Sequence, residues 1–276
     1  MDYPYVLHTK TMKAYLDQYI EELLSLGRYT FARSELDGRF GVGDAAIRQC
    51  LQRLMRVGSV RSIRSGFHVI IPPEYRSRGM LPPEMFIDDF MKHLGRSYYV
   101  GLLSAAALHG AAHQQPQSFS TIITKPSIRP VQSNGINLIF PVKSAMPLNG
   151  IDQKKSAAGF FRVSSPELTA IDLLSYLRLV GGVSSVVQVV EELIELMSEE
   201  RLGRIAEGTA KTAPLQRLGY MLEEVFGEKE LANVLLRELA KRDYFHIPLT
   251  PGGRLSKCPV NSKWKIKINE NLEGEL

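Results

Sequence analysis

The chain has 276 residues, 44% of them hydrophobic, and a net charge of +5, a size that suits two domains, each with its own core. No apolar run approaches the ~20 residues needed to span a bilayer. Its two cysteines, Cys50 and Cys258, form no CxxC, and no secretory segment opens the chain, so a soluble protein of the reducing cytoplasm is expected. The excess charge is local: residues 28 to 71 hold 8 Arg against 3 acids, which suits a footprint on nucleic acid better than a generally cationic surface would.

Thr11 to Leu26 carries Met12, Tyr15, Leu16, Tyr19, Ile20, Leu23 and Leu24 at helical spacing, with Glu21 and Glu22 facing water and Gly27 as a stop. Tyr29 to Phe31 reads as a short strand, Arg33 to Phe40 as a second short helix, and Gly41-Val42-Gly43 as a turn. Asp44 to Val57 then forms a helix with Ile47, Cys50, Leu51 and Leu54 on one face and Ala45, Gln49, Gln52 and Arg56 on the other, flanked by Arg48 and Arg53. Past Gly58, the run Val60 to Arg64, Ser65-Gly66 and Phe67 to Val69 has the pattern of a hairpin with a basic first strand. Helix, strand, helix, turn, helix, hairpin is the order of a winged helix-turn-helix.

Ile71-Pro72-Pro73 ends the hairpin, because proline cannot donate to a strand ladder, and the Arg, Gly and Pro content of the next ten residues reads as a linker. The expected division is therefore 1–76 for the winged domain and 77–276 for a larger mixed α/β domain, an α+β chain overall. Pro83 to Leu94 and Val100 to Ala112 read as helices, the second so rich in Ala and Gly that another element must lie close against it. Phe119 to Thr124, Ile136 to Pro141 and Phe160 to Val163 read as strands, with Lys125 to Gly135 a polar connection. Ser165-Pro166-Glu167 starts a helix with Ser as N-cap and Pro at its first position. Further helices follow at Val183 to Met197, Ser198 to Glu207, Ala213 to Phe226 and Glu228 to Lys241, and the alternation Trp264 to Asn269 reads as a closing strand.

DNA recognition asks for amide and guanidinium groups on an exposed helix face and positive charge beside phosphates. Arg48, Gln49, Gln52, Arg53 and Arg56, with Ala45 on the same face, meet the first need. Arg33 and Arg39 near the second helix, and Arg61 and Arg64 in the wing, are the natural backbone contacts. Enzymatic readings are poorer. Gly41 to Ala46 matches G-x-G-x-x-A but follows no hydrophobic strand. His109 and His113 are four apart, yet Gly110 stands where a zinc protease has Glu, so neither a metal nor another cofactor is expected. The chain contains no D-x-D to hold a nucleotidyltransferase metal, no phosphate loop and no G-x-S-x-G elbow. Glu167 and Asp172, five apart, do not share a helix face.

Taken together, several segments resemble the AbiEi antitoxins of type IV toxin-antitoxin systems, found with abortive phage infection loci. They are the winged region 12–71, Tyr98-Tyr99-Val100-Gly101-Leu102-Leu103-Ser104 through Gly110 with Gln114-Gln115-Pro116, Ser164 to Leu174, Arg217 to Glu223, and Trp264 to Asn269. The resemblance implies a non-enzymatic repressor of its own operon that binds inverted repeats in double-stranded operator DNA through the N-terminal domain. It also implies a C-terminal domain that counteracts a nucleotidyltransferase-like toxin without a stable complex between them, and no membrane role. Antitoxicity has no motif of its own; Lys125, Arg129, Lys154 and Lys155 are its surface candidates. The alternative is a ligand-responsive winged-helix transcriptional regulator, which would need a deep apolar pocket in the C-terminal domain.

Overall fold

A computed structural model of the chain describes residues 4–64, 66–111, 116–133, 135–253, 256 and 258–272, with side chains from Tyr15 onward. It mixes helices and β-sheets and divides into two compact units. The first comprises Met1–Tyr98, Ile128–Phe140 and Gln153–Phe161, and the second Tyr99–Ser127, Pro141–Asp152 and Arg162–Leu276.

Helix α1 (Pro4–Ser25) buries Leu16, Tyr19, Ile20 and Leu23 and ends where Gly27 takes a left-handed φ of 69°. Strand β1 (Thr30–Ala32) follows. The expected second helix, 33–40, is only a 3-10 turn, Arg33–Leu36. Gly38 at φ 70° bends the chain out of helical geometry, and the Glu35 carboxylate folds back onto the Ala32 amide at 2.6 Å. Helix α2 (Asp44–Arg56) buries Ile47, Cys50, Leu51 and Leu54, the face its apolar spacing dictates. Gly58 at φ 78° releases the chain into β2 (Val60–Arg64) and β3 (Phe67–Ile70). These pair antiparallel with Val60 opposite Ile70 and a bulge between Ser62 and Arg64. Strand β1 lies on the other side of β3, Phe31 opposite His68, giving the order β1-β3-β2. Leu16, Phe31, Leu36, Ile47, Leu51, Val60 and Ile70 form the core beneath this sheet.

The helix expected at Pro83–Leu94 is divided: Phe86, at φ −137°, separates a 3-10 turn at Pro83–Met85 from α3 (Ile87–His93). A boundary near 76 was expected from Pro72-Pro73; the first unit runs on to Tyr98, and within it the Phe90 ring lies tilted against Phe67 at 5.2 Å and Phe140 at 6.2 Å.

The helix expected at Val100–Ala112 begins instead as β4 (Tyr98–Val100), and α4 spans only Leu102–His109. Gly101 is extended and sits against Ile122, whose side chain would lie 2.6 Å from any Cβ there, and Leu102 turns the chain with φ 56°. After β5 (Phe119–Ile123), the polar connection contains β6 (Val131–Ser133), which pairs antiparallel with β7 (Ile136–Ile139) inside the first unit. A hairpin of β8 (Ile151–Ser156) and β9 (Gly159–Ser164) follows, and β9 runs parallel to β4 at Val163 and Val100.

The rest of the second unit is mostly helical. It contains α5 (Pro166–Ser175), α6 (Ser184–Ile194), α7 (Glu199–Gly208), α8 (Thr212–Tyr220) continued by a π-helical turn at Met221–Val225, and α9 (Lys229–Ala240). Ser165 caps α5 by accepting from the Leu168 amide. Leu168, Ile171, Val187, Val190, Leu215, Leu218, Leu235 and Trp264 make its core. Strands β10 (Ile247–Pro248), β11 (Val260–Asn261) and β12 (Ile266–Lys267) form a small sheet in the order β10-β12-β11. The expected strand 264–269 shrinks to two residues because Lys265 takes φ 51°, outside any strand geometry.

Candidate nucleic-acid interface

Helix α2 sorts its side chains by face. Ala45, Arg48, Gln49, Gln52, Arg53 and Arg56 are all exposed, while Cys50 points inward, where burial pushes its thiol up and leaves it unreactive. Arg48 reaches back to Asp44 at 3.0 Å, an exposed pair that holds the side chain only loosely. Arg53 and Arg56, in the last turn, make no ion pair among the described residues. The helix thus presents amides and guanidinium groups in a continuous stripe.

The other four arginines differ in how far the protein itself engages them. Arg33 is mostly buried and paired with Asp37 at 2.5 Å and with Asp44, so it fastens the 3-10 turn to the start of α2. Arg39 pairs with Glu22 at 3.2 Å and lies 4.4 Å over the Tyr19 ring. Arg61 donates to the Met55 carbonyl at 2.9 Å and the Gly79 carbonyl at 3.3 Å, capping the C-terminal end of α2. Arg64, beside the hairpin turn, spends one N–H on the Arg129 carbonyl at 3.0 Å. Sequence spacing could not join Arg64 to Arg129, because 65 residues separate them.

Beneath this surface Glu35 ties three elements. Burial works to raise its carboxyl, but Arg28 at 2.6 Å, the Ala32 amide and the Tyr19 hydroxyl outweigh it and hold the group below the usual carboxylate range. His68 stacks 5.1 Å from Phe31, its Nδ1 buried without a partner. Burial, with Arg33 and His93 adding to it, pushes this imidazole down from 6.5 to about 4. The unfolded chain therefore binds a proton that the folded chain refuses between those two values, and stability falls as pH drops through that window. Urea unfolding is expected to lose about 2 kcal/mol between pH 7.5 and pH 5, and His68→Phe to flatten that loss; equal pH dependence in both proteins would contradict it.

In the second unit the two fully buried acids, Asp172 and Glu167, are engaged by internal bonds. Asp172 has no exposed surface; it accepts from Tyr99 Oη at 2.6 Å and from Lys143 Nζ at 2.6 Å, and Lys143 also donates to Tyr99 Oη at 3.1 Å. Burial pushes the Asp172 carboxyl up, against the pull of Lys143 and Tyr99. Glu167 accepts from Ser165 Oγ at 2.7 Å and from the Ser198 amide at 3.0 Å, linking the starts of α5 and α7. Arg201, near Glu167, grips both Asp152 oxygens at 2.8 and 2.9 Å. His109 Nε2 meets the Ser164 carbonyl at 2.7 Å, and His113 lies outside the described residues. Among the described residues, no three His, Cys, Asp or Glu side chains converge to hold a metal, and no helix is long and apolar enough to cross a membrane.

Of the four basic residues considered for antitoxicity, only Lys125 belongs to the second unit; Arg129, Lys154 and Lys155 belong to the first. With them the first unit holds seventeen Lys and Arg against eleven Asp and Glu, and the second seventeen against eighteen. The positive charge of the chain is therefore a property of the first unit.

The chain is similar in fold to the RV2827C protein from Mycobacterium tuberculosis, whose crystal structure it matches with a TM-score of 0.64 at 17% identity, over 92% of this chain and 90% of that one. No curated protein matches the chain significantly. Residues 99–224 match the family model described as the AbiEi antitoxin C-terminal domain, a stretch that contains Tyr99, Lys143, Glu167, Asp172 and Gly219. That match bears out, over this stretch, the resemblance of the chain to the AbiEi antitoxins.

Proposed function

We propose that this antitoxin represses its own operon, reading inverted repeats in operator DNA with a winged helix-turn-helix formed by residues 1–76, and that residues 77–276 counteract a nucleotidyltransferase-like toxin without a stable complex and without catalysis of their own. In this reading α2 enters the major groove. Arg48, Gln49, Gln52, Arg53 and Arg56 contact base edges beside Ala45, and Arg39 and Arg64 contact phosphates. Arg33 and Arg61, engaged by acids and carbonyls, hold the reading helix and wing in register. The observation that carries the reading is the exposed amide and guanidinium stripe on α2, set in the unit that holds the positive charge of the chain.

Titrating the protein onto duplex DNA from just upstream of its gene, and onto unrelated DNA, tests this. Specific binding is expected, weakened by Arg48→Ala or Arg56→Ala by ~1 to 3 kcal/mol for each lost bidentate contact. Equal affinity for both duplexes at moderate salt would sink the specific-repressor reading.

A further inference from the structure

The wing of this protein is joined by a segment from much later in the chain. Residues Ile128–Phe140 belong to the first unit, and β6 lies alongside β2 there. Arg64 Nη2 is bonded to the Arg129 carbonyl, so the guanidinium at the end of β2 is held against the backbone that carries a second exposed arginine. Neither Arg64 nor Arg129 has a carboxylate partner among the described residues, whereas Arg28, Arg33, Arg39 and Arg48 each have one. Segment 128–140 contains Arg129 and no acid at all. The Arg64 guanidinium and the exposed Arg129 side chain, whose backbone Arg64 holds, thus carry positive charge on this segment with no protein counter-charge among the described residues, and an anion there is attracted by both.

We infer that Arg129 is a DNA-backbone contact: the β6–β7 hairpin and the loop before it extend the wing, and Arg64 and Arg129 together receive phosphates flanking the groove that α2 reads. The inference rests on the proposed DNA-binding function and deepens it, because it moves a residue of the sequence's C-terminal part from toxin neutralisation to operator binding. A phosphate contact positions the protein without reading sequence, so its loss weakens binding to every duplex alike.

The test uses the full chain, with Arg129→Ala and Arg129→Glu titrated against upstream DNA and an unrelated duplex over a range of salt. Arg129→Ala is expected to weaken binding to both duplexes in equal ratio and to make the log–log salt dependence shallower by about 0.9. Its disadvantage then shrinks about threefold between ~50 and ~200 mM salt, and toxin neutralisation is unchanged. Arg129→Glu is expected to weaken binding further. Wild-type affinity and slope in both variants, while Arg56→Ala still weakens binding, would overturn the inference and leave the DNA-binding reading standing. Intact DNA binding with lost neutralisation would overturn it in favour of a toxin-facing role. A wild-type protein that binds no duplex would overturn both.

Discussion

Gly219→Ala is expected to destabilise the second unit by about 3 kcal/mol or more, toward the upper end of what overpacking a core costs. A Cβ on Gly219 would lie 2.0 to 2.6 Å from three atoms of the Trp264 ring, which has no exposed surface. The ring cannot slide away. Its Nε1 donates to Glu223 at 2.8 Å, and its backbone is held by Gln216, whose amide donates to the Trp264 carbonyl at 3.0 Å. Glu223 lies in the π-helical turn that follows α8, so this single contact locks the closing strands onto the helical core. Urea unfolding measures the effect, and a second variant, Gly219→Ala with Trp264→Leu, is expected to be less destabilised than the sum of its single changes. A Gly219→Ala protein within about 0.5 kcal/mol of wild type, the range of ordinary surface changes, would show that the ring has room.

Lys143→Met is expected to cost about 3 kcal/mol, because it leaves the fully buried Asp172 carboxylate without its cation. Tyr99 alone then faces that acid, and burial pushes the carboxyl up further, toward the neutral form. The double variant Lys143→Met with Asp172→Asn is expected to recover part of the loss, since removing both charges of a buried pair costs less than orphaning one. Additive losses in that cycle would mean that the two residues act independently, in conflict with the 2.6 Å contact. The family match thus covers two internal locks, one around Asp172 and one around Glu167, whose loss is expected to unfold the domain rather than remove a catalytic step.

How much of this was legible in the sequence follows from the range of the interactions. The inward face of α2 was readable because Ile47, Cys50, Leu51 and Leu54 recur at helical spacing, a local signal. The Ser165 cap was readable for the same reason. Strand β4 was not, since Tyr98, Tyr99 and Val100 are all buried and a strand covered on both faces has no alternation to tell it from a helix. Strand β8, Ile-Asp-Gln-Lys-Lys-Ser, is too polar to announce itself and takes its geometry from its hairpin partner. Lys265 defeated a clean alternation because its positive φ belongs to the tertiary structure. At the candidate site, the exposed stripe of α2 could be read, but the engagement of Arg61 by Met55 and Gly79 and of Arg64 by Arg129 could not. Those partners are fixed by how loops return to the sheet, not by spacing along it.

The proposed function divides labour within the chain: one face of α2 would bind operator DNA and residues 77–276 would supply antitoxicity. The sharpest test replaces Arg48, Gln52 and Arg56 with alanine in the full chain and measures, in the same cells, repression from the upstream DNA and survival on induction of the nucleotidyltransferase-like toxin it is proposed to counteract. With the fold verified by near-ultraviolet circular dichroism, the account predicts that repression is lost and protection retained. A folded triple variant that still represses, or one that loses protection together with repression, would contradict it.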